Sequence, residues 1–203
     1  MKKILSFIII TAGIIAAFNG CTTNVSQDKF SDYSLVEIEN DKLTYSNLSQ
    51  VEEHTDVIVI GTFEKETTQE LFYASIAEIN KDVVYHAVSE NSIKVAKVLK
   101  GDVKVGESLV VMQEYGTLKD TKELRTVSEL TPMEKGDTWL FFLFEDDEGG
   151  KYWCTGDNSG RFPVKNVVNA RCGLSSVSDK GVYKSESFRF DIYNEILKKY
   201  ELE

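Results

Sequence analysis

From Val57 to Val164 the chain is a succession of short β-branched and aromatic runs, cut by turns of glycine, aspartate and lysine. Strands that short and that closely spaced bury an apolar face only by packing on one another, so the pattern points to an antiparallel barrel or sandwich. Val57-Ile58-Val59-Ile60 is apolar at every position and ends at Gly61, the signature of a central strand covered on both faces. A polar stretch rich in glutamate and threonine follows, and further strands are predicted over residues 71–79, 83–88, 93–99 and 108–113. In Ile93-Lys94-Val95-Ala96-Lys97-Val98-Leu99 the alternation slips by one at Ala96, which predicts a β-bulge or a tight barrel bend. Lys100-Gly101-Asp102 and Val105-Gly106-Glu107 then reverse the chain. Residues 115–130 are polar and read as a long surface loop or small helix. Thr138 to Phe144 is the most hydrophobic strand candidate, and residues 145–150 turn it onto Tyr152-Trp153-Cys154, with one more short strand over 161–164.

Helices flank this core. Residues 43–54 offer Asn47 or Ser49 as an N-cap, with Leu48 and Val51 three apart. Near the C-terminus Asp191 can cap a helix in which Ile192, Tyr193, Ile196, Leu197 and Tyr200 share one face. The expected fold is therefore mainly β: an OB-like or related antiparallel β-barrel or sandwich over residues 43–203, with a short N-terminal helix and a C-terminal helix packed on it.

The first residues carry a different message. Lys2 and Lys3 precede an apolar run over 4–18 and then Asn19-Gly20-Cys21. That run is short for a membrane span and lies against a basic end, as in an export signal. Gly20-Cys21 resembles the lipobox of bacterial lipoproteins, whose cysteine is acylated and becomes the new N-terminus. The resemblance implies a signal peptide over 1–20, a lipidated Cys21 with a tether over 21–42, and a protein held by its acyl chains on the extracytoplasmic face of the cell membrane. The formal charge of −10 becomes −12 once Lys2 and Lys3, the only charges of that signal, are removed. Such a surface repels phosphate backbones and anionic headgroups, which argues against nucleic-acid partners and leaves the anchoring to lipid. Outside the cytoplasm, Cys154 and Cys172 read as one disulfide closing a loop of 17 intervening residues, worth about 3 kcal/mol in the chain-entropy model. Two unlinked buried cysteines are the alternative.

Candidate chemistry is sparse. Gly156-Asp157-Asn158-Ser159-Gly160 superficially resembles the nucleophile loop of trypsin-like proteases, and His54, Asp102 and Ser159 occur in that family's order. The same composition is that of an ordinary turn, and His54 sits in a polar helical stretch rather than at an ordered strand end. With only His54 and His86 present, a histidine-rich metal site is not expected. Asp146, Asp147 and Glu148, or Asp157 and Asn158, have the oxygens of a calcium site but not its alternating spacing, and read as solvated turns. Trp139, Trp153 and the phenylalanine run fit a core at strand periodicity, or else line a ligand groove. No metal or cofactor is expected, and no residue stands out as catalytic. The expected function is a non-catalytic binding module with a protein or small-molecule partner in the cell envelope. The alternatives are an envelope hydrolase using His54 and Ser159, and a lipoprotein that binds a small molecule or cation.

The order of a short helix, then DVIVIGTF, IKVAKVLKGDVKVGESLVV, MEKGDTWLFFLF and YWCTGDNSGRFPV, is similar to that of a widespread set of secreted proteins and lipoproteins of Gram-positive bacteria. More distantly it resembles the OB-type barrel of netrin-like and metalloproteinase-inhibitor (TIMP) domains, over roughly residues 48–164. Those inhibitors chelate an enzyme's zinc through a free N-terminal cysteine amine. An acylated Cys21 would lack that amine, so the activity does not carry over.

Overall fold

The computed structural model describes residues 30, 32–38, 45–76, 81–127, 132–156, 160–164 and 187–202. Among them lie nine strands and two helices: β1 (Ser34–Glu37), α1 (Leu48–Glu53), β2 (Val57–Ile76), β3 (Lys81–Lys100), β4 (Ser108–Gln113), β5 (Tyr115–Leu118), β6 (Glu123–Thr126), β7 (Thr138–Glu145), β8 (Tyr152–Cys154), β9 (Arg161–Pro163) and α2 (Ser187–Lys199). The fold is mainly β, as the spacing of apolar runs predicts.

Five strands close a ring. β2 pairs antiparallel with both β3 and β7, β3 with β4, and β7 with β8, while β4 and β8 run parallel at Val111↔Tyr152 and Met112↔Trp153. The order β2-β3-β4-β8-β7-β2, with its one parallel seam, is that of an OB-type barrel. β9 occupies the edge of β7 beyond β8, with Leu140 opposite Phe162.

Strand alternation divides the apolar residues between two cores. Val57, Val59, Phe63, Ile93, Val95, Leu109, Val111, Trp139, Phe141, Leu143 and Cys154 point inward and fill the barrel, with Met133 at one end. Ile58, Leu140 and Phe142 point outward, under Leu48 and Val51 of α1 and Ile192 and Ile196 of α2. The Val57–Ile60 part of β2 and the Trp139–Leu143 part of β7 are thus covered on both faces, which is why these runs are apolar without alternation. Asn47 caps α1, its side chain accepting from the Gln50 N–H at 3.0 Å. α2 is tied to α1 through Glu52, which pairs with Lys199 at 2.5 Å and accepts from the Tyr200 hydroxyl. Asp191 lies inside α2 rather than capping it, since the helix begins at Ser187.

The Ala96 slip is a bulge. Ile60 pairs with Lys97 and Gly61 with Val95, leaving Ala96 without an opposite residue. A Cβ at Gly61 would lie 2.4 Å from Ile93 Cγ2, so the glycine admits the Ile93 side chain where the barrel bends.

Three expectations need correction. The polar stretch after Gly61 is not a break: β2 and β3 are each 20 residues long and leave the barrel as one two-stranded ribbon. Residues 115–130 are not simply loop or helix, because Tyr115–Leu118 and Glu123–Thr126 form a hairpin. The segment read as tether contains β1, which pairs parallel with β6 from Ser34↔Glu123 to Glu37↔Thr126. The resulting β1-β6-β5 sheet packs on the ribbon through Ile38, Val84, Ala87 and Val127. Ribbon polar groups complete this contact. Gln69 Oε1 accepts from the Thr117 N–H at 2.7 Å, and the Tyr115 hydroxyl lies 2.8 Å from Glu66 Oε2 and 3.0 Å from Asn91 Oδ1. Burial first, then the Glu66 charge and hydrogen bond, push the Tyr115 phenol far above its ordinary pKa. It stays a donor.

Candidate functional site

Barrel closure lines up residues that are far apart in sequence. Phe144 pairs with Trp153 across β7–β8, Trp153 with Met112 across β8–β4, and Met112 with Glu90 across β4–β3. Paired residues share a face of a sheet, so these four make one row across the outside of the barrel, beyond the end that the helices cover. Phe144, Trp153 and Met112 of this row floor a cavity of about 430 Å³, whose other lining residues include His86, Gln113, Glu114, Glu145, Asp146 and Asp147. That volume is in the range of small-molecule sites.

The β7–β8 hairpin makes the acidic wall and is well braced. The Asp146 N–H donates to the Lys151 carbonyl at 2.9 Å, the Gly149 N–H to the Asp146 carbonyl at 2.8 Å, and the Glu145 N–H to Asp56 Oδ2 at 2.9 Å. Trp153 is oriented by its own polar atom, since its indole N–H donates to Asp146 Oδ1 at 3.0 Å. Phe144 is 38% exposed. On the ribbon side, His86 Nδ1 is 3.7 Å from Glu114 Oε1 and its ring centroid is 5.3 Å from that of Phe72. Burial lowers the His86 pKa, so the ring is neutral at neutral pH and meets Glu114 as a dipole rather than as a cation. Gln113 is 4% exposed, and its Oε1 is buried with no hydrogen-bond partner.

The hydrolase constellation fares differently. His54 stands exposed at the C-cap of α1, its Nδ1 2.9 Å from the Gln50 carbonyl and its ring beside Tyr45. Asp102 is exposed in the turn after β3. Among the described residues these two are not hydrogen-bonded to each other, and Ser159 lies outside the described residues, as do Asp157 and Asn158. Cys21, the apolar segment before it and Cys172 also lie outside them. Cys154 is described: it is buried in the barrel and reaches the cavity wall.

Among the described residues no three His, Cys, Asp or Glu side chains are grouped so as to hold a metal ion. Asp146 and Asp147, with Glu148 next to them, form the rim of a groove rather than a chelate. Trp139 belongs to the core and Trp153 to the groove, although both sit in apolar strands. The signal that separates them is alternation, since Trp153 is flanked by the inward Cys154 and the partly inward Tyr152. No family model matches this chain, and no curated protein matches it.

Proposed function

We propose that this is a lipid-anchored protein of the extracytoplasmic membrane face whose barrel binds a small ligand in the groove under the β7–β8 hairpin, without catalysis. The observation that carries the binding reading is the braced row Phe144–Trp153–Met112 beneath an acidic wall. Such a row holds exposed aromatic surface in one fixed geometry, which is what recognition needs and core packing does not. The anchor rests on the sequence of Lys2, Lys3, the apolar run and Gly20-Cys21. A bridge from Cys154 to Cys172 belongs to the same proposal, because export exposes both thiols to oxidation.

One preparation tests anchor, bridge and lack of catalysis. Protein extracted from membranes with detergent should begin at Cys21, carry acyl chains there, and weigh two hydrogen atoms less than the reduced chain. Cys21→Ala should abolish acylation and membrane retention. The extracted protein should also stay unlabelled by a fluorophosphonate probe. An unacylated Cys21 in the membrane fraction would contradict the anchor. Two titratable thiols would contradict the bridge, and labelling of Ser159 that is lost in His54→Ala would install the hydrolase reading instead.

A further inference from the structure

The lining of the groove is one-sided in its chemistry. Its lining residues include the acidic Glu114, Asp146 and Asp147 and no lysine or arginine; Glu145 also lines it, but it pairs with Tyr152 on the face opposite Phe144 and Trp153, and its Oε1 accepts from the Gly150 N–H at 3.1 Å. Lys151, which precedes the Tyr152-Trp153 pair, is directed to Glu90 Oε1 at 2.6 Å. The Trp153 indole N–H is already given to Asp146. Gln113 is also a lining residue, and its Oε1 is buried without a partner. The carboxylates are spread around a cavity of about 430 Å³ rather than gathered on one point, a spacing that suits an organic cation better than a bare metal ion.

We propose that the groove takes an organic cation, a primary ammonium or guanidinium on an apolar stem, with its head among Glu114, Asp146 and Asp147 and its stem along Trp153 and Phe144. The proposal rests on the groove being the ligand site, and adds the chemical class of the ligand. The aromatic faces serve twice, as apolar cover for the stem and as cation–π partners for the head. Two sources carry this chemistry: free polyamines and the lysine or arginine side chains of a peptide.

Isothermal titration of the full chain in detergent separates the outcomes. Probes are spermidine, N-acetyl-lysine amide, N-acetyl-arginine amide and the neutral isostere N-acetyl-norleucine amide. At least one cation should bind one to one, the norleucine amide should not, and affinity should fall as salt is raised. Tighter binding of spermidine assigns the free amine as the source, and tighter binding of the acetylated amino acids assigns a peptide side chain. The double variant Glu114→Gln, Asp147→Asn keeps the shape and removes two charges, and should weaken the cation about tenfold or more with an unchanged melting temperature. Equal binding of the norleucine amide would overturn the cation proposal while leaving the groove as a ligand site. Competitive loss of the cation in millimolar calcium would overturn it in favour of an inorganic ion. Unchanged affinity in the double variant, or no binding of any probe, would also overturn it; in the last case, in-cell crosslinking from Phe144 separately decides whether the groove binds anything.

Discussion

Phe141→Ala should destabilise the protein by about 3–5 kcal/mol, lowering the melting temperature by roughly 10 °C or more. Phe141 has no exposed surface and sits inside the barrel on β7, paired with Val59 on one side and Arg161 on the other. Its neighbours belong to strands that close a ring, and a closed ring collapses poorly around a cavity, so the loss should fall at the upper part of that range. Val105→Ala is the control, since Val105 is 67% exposed in the turn before β4, and it should stay within about 0.5 kcal/mol of the parent. Urea denaturation followed by circular dichroism measures both.

The second large effect is expected at Gly160. A Cβ there would lie 2.7 Å from each of three backbone atoms: the Phe142 oxygen and the Thr155 nitrogen and oxygen. None of these can rotate away as a side-chain tip would. The same place holds the hydrogen bond from the Thr155 N–H to the Phe142 carbonyl, 2.9 Å long, which fastens the segment after β8 to β7. Gly160→Ala should therefore break that bond or push β9 off its edge, at a cost of about 3 kcal/mol. Gly106→Ala makes an informative contrast: its φ of +85° is strained for alanine, but nothing lies within 4 Å of the added carbon, so about 1–2 kcal/mol is expected. Equal losses at the two positions would show that close approach at Gly160 is not what the glycine provides.

The parts of the fold legible in the sequence are those written in local periodicity. The doubly covered Val57–Ile60 run and the β7–β8 hairpin follow from neighbouring residues alone, and the irregularity at Ala96 and a cap at Asn47 or Ser49 do so up to the choice that the structure makes between a bulge and a bend and between the two caps. The β5–β6 hairpin was hidden because its turn, Lys119-Asp120-Thr121-Lys122, contains neither glycine nor asparagine; Lys122 itself adopts the left-handed φ of +51°. The ribbon was hidden because its polar residues do structural work that composition does not advertise. Glu66 and Gln69 bind the second sheet, so a strand there looks like a solvated loop. β1 is a four-residue strand that exists only by pairing with β6.

The groove was only half legible. Asp146, Asp147 and Trp153 each stand out in the sequence, as an acidic turn and as an aromatic residue in a strand. What joins them is register between β4, β7 and β8, including a parallel seam whose strands are some 40 residues apart, and no local pattern encodes that. The His54, Asp102, Ser159 order carries no geometry by itself: His54 and Asp102 are not hydrogen-bonded to each other, and Ser159 lies outside the described residues.

The claim that the groove is the ligand site is tested most directly in living cells. Phe144, replaced by p-benzoylphenylalanine, should crosslink on irradiation to a ligand held against Trp153, and Val105 replaced in the same way should not, although it is the more exposed of the two. A mass increment confined to the chain carrying the probe at position 144 is the predicted result. No adduct at position 144, or the same adducts from both positions, would contradict it.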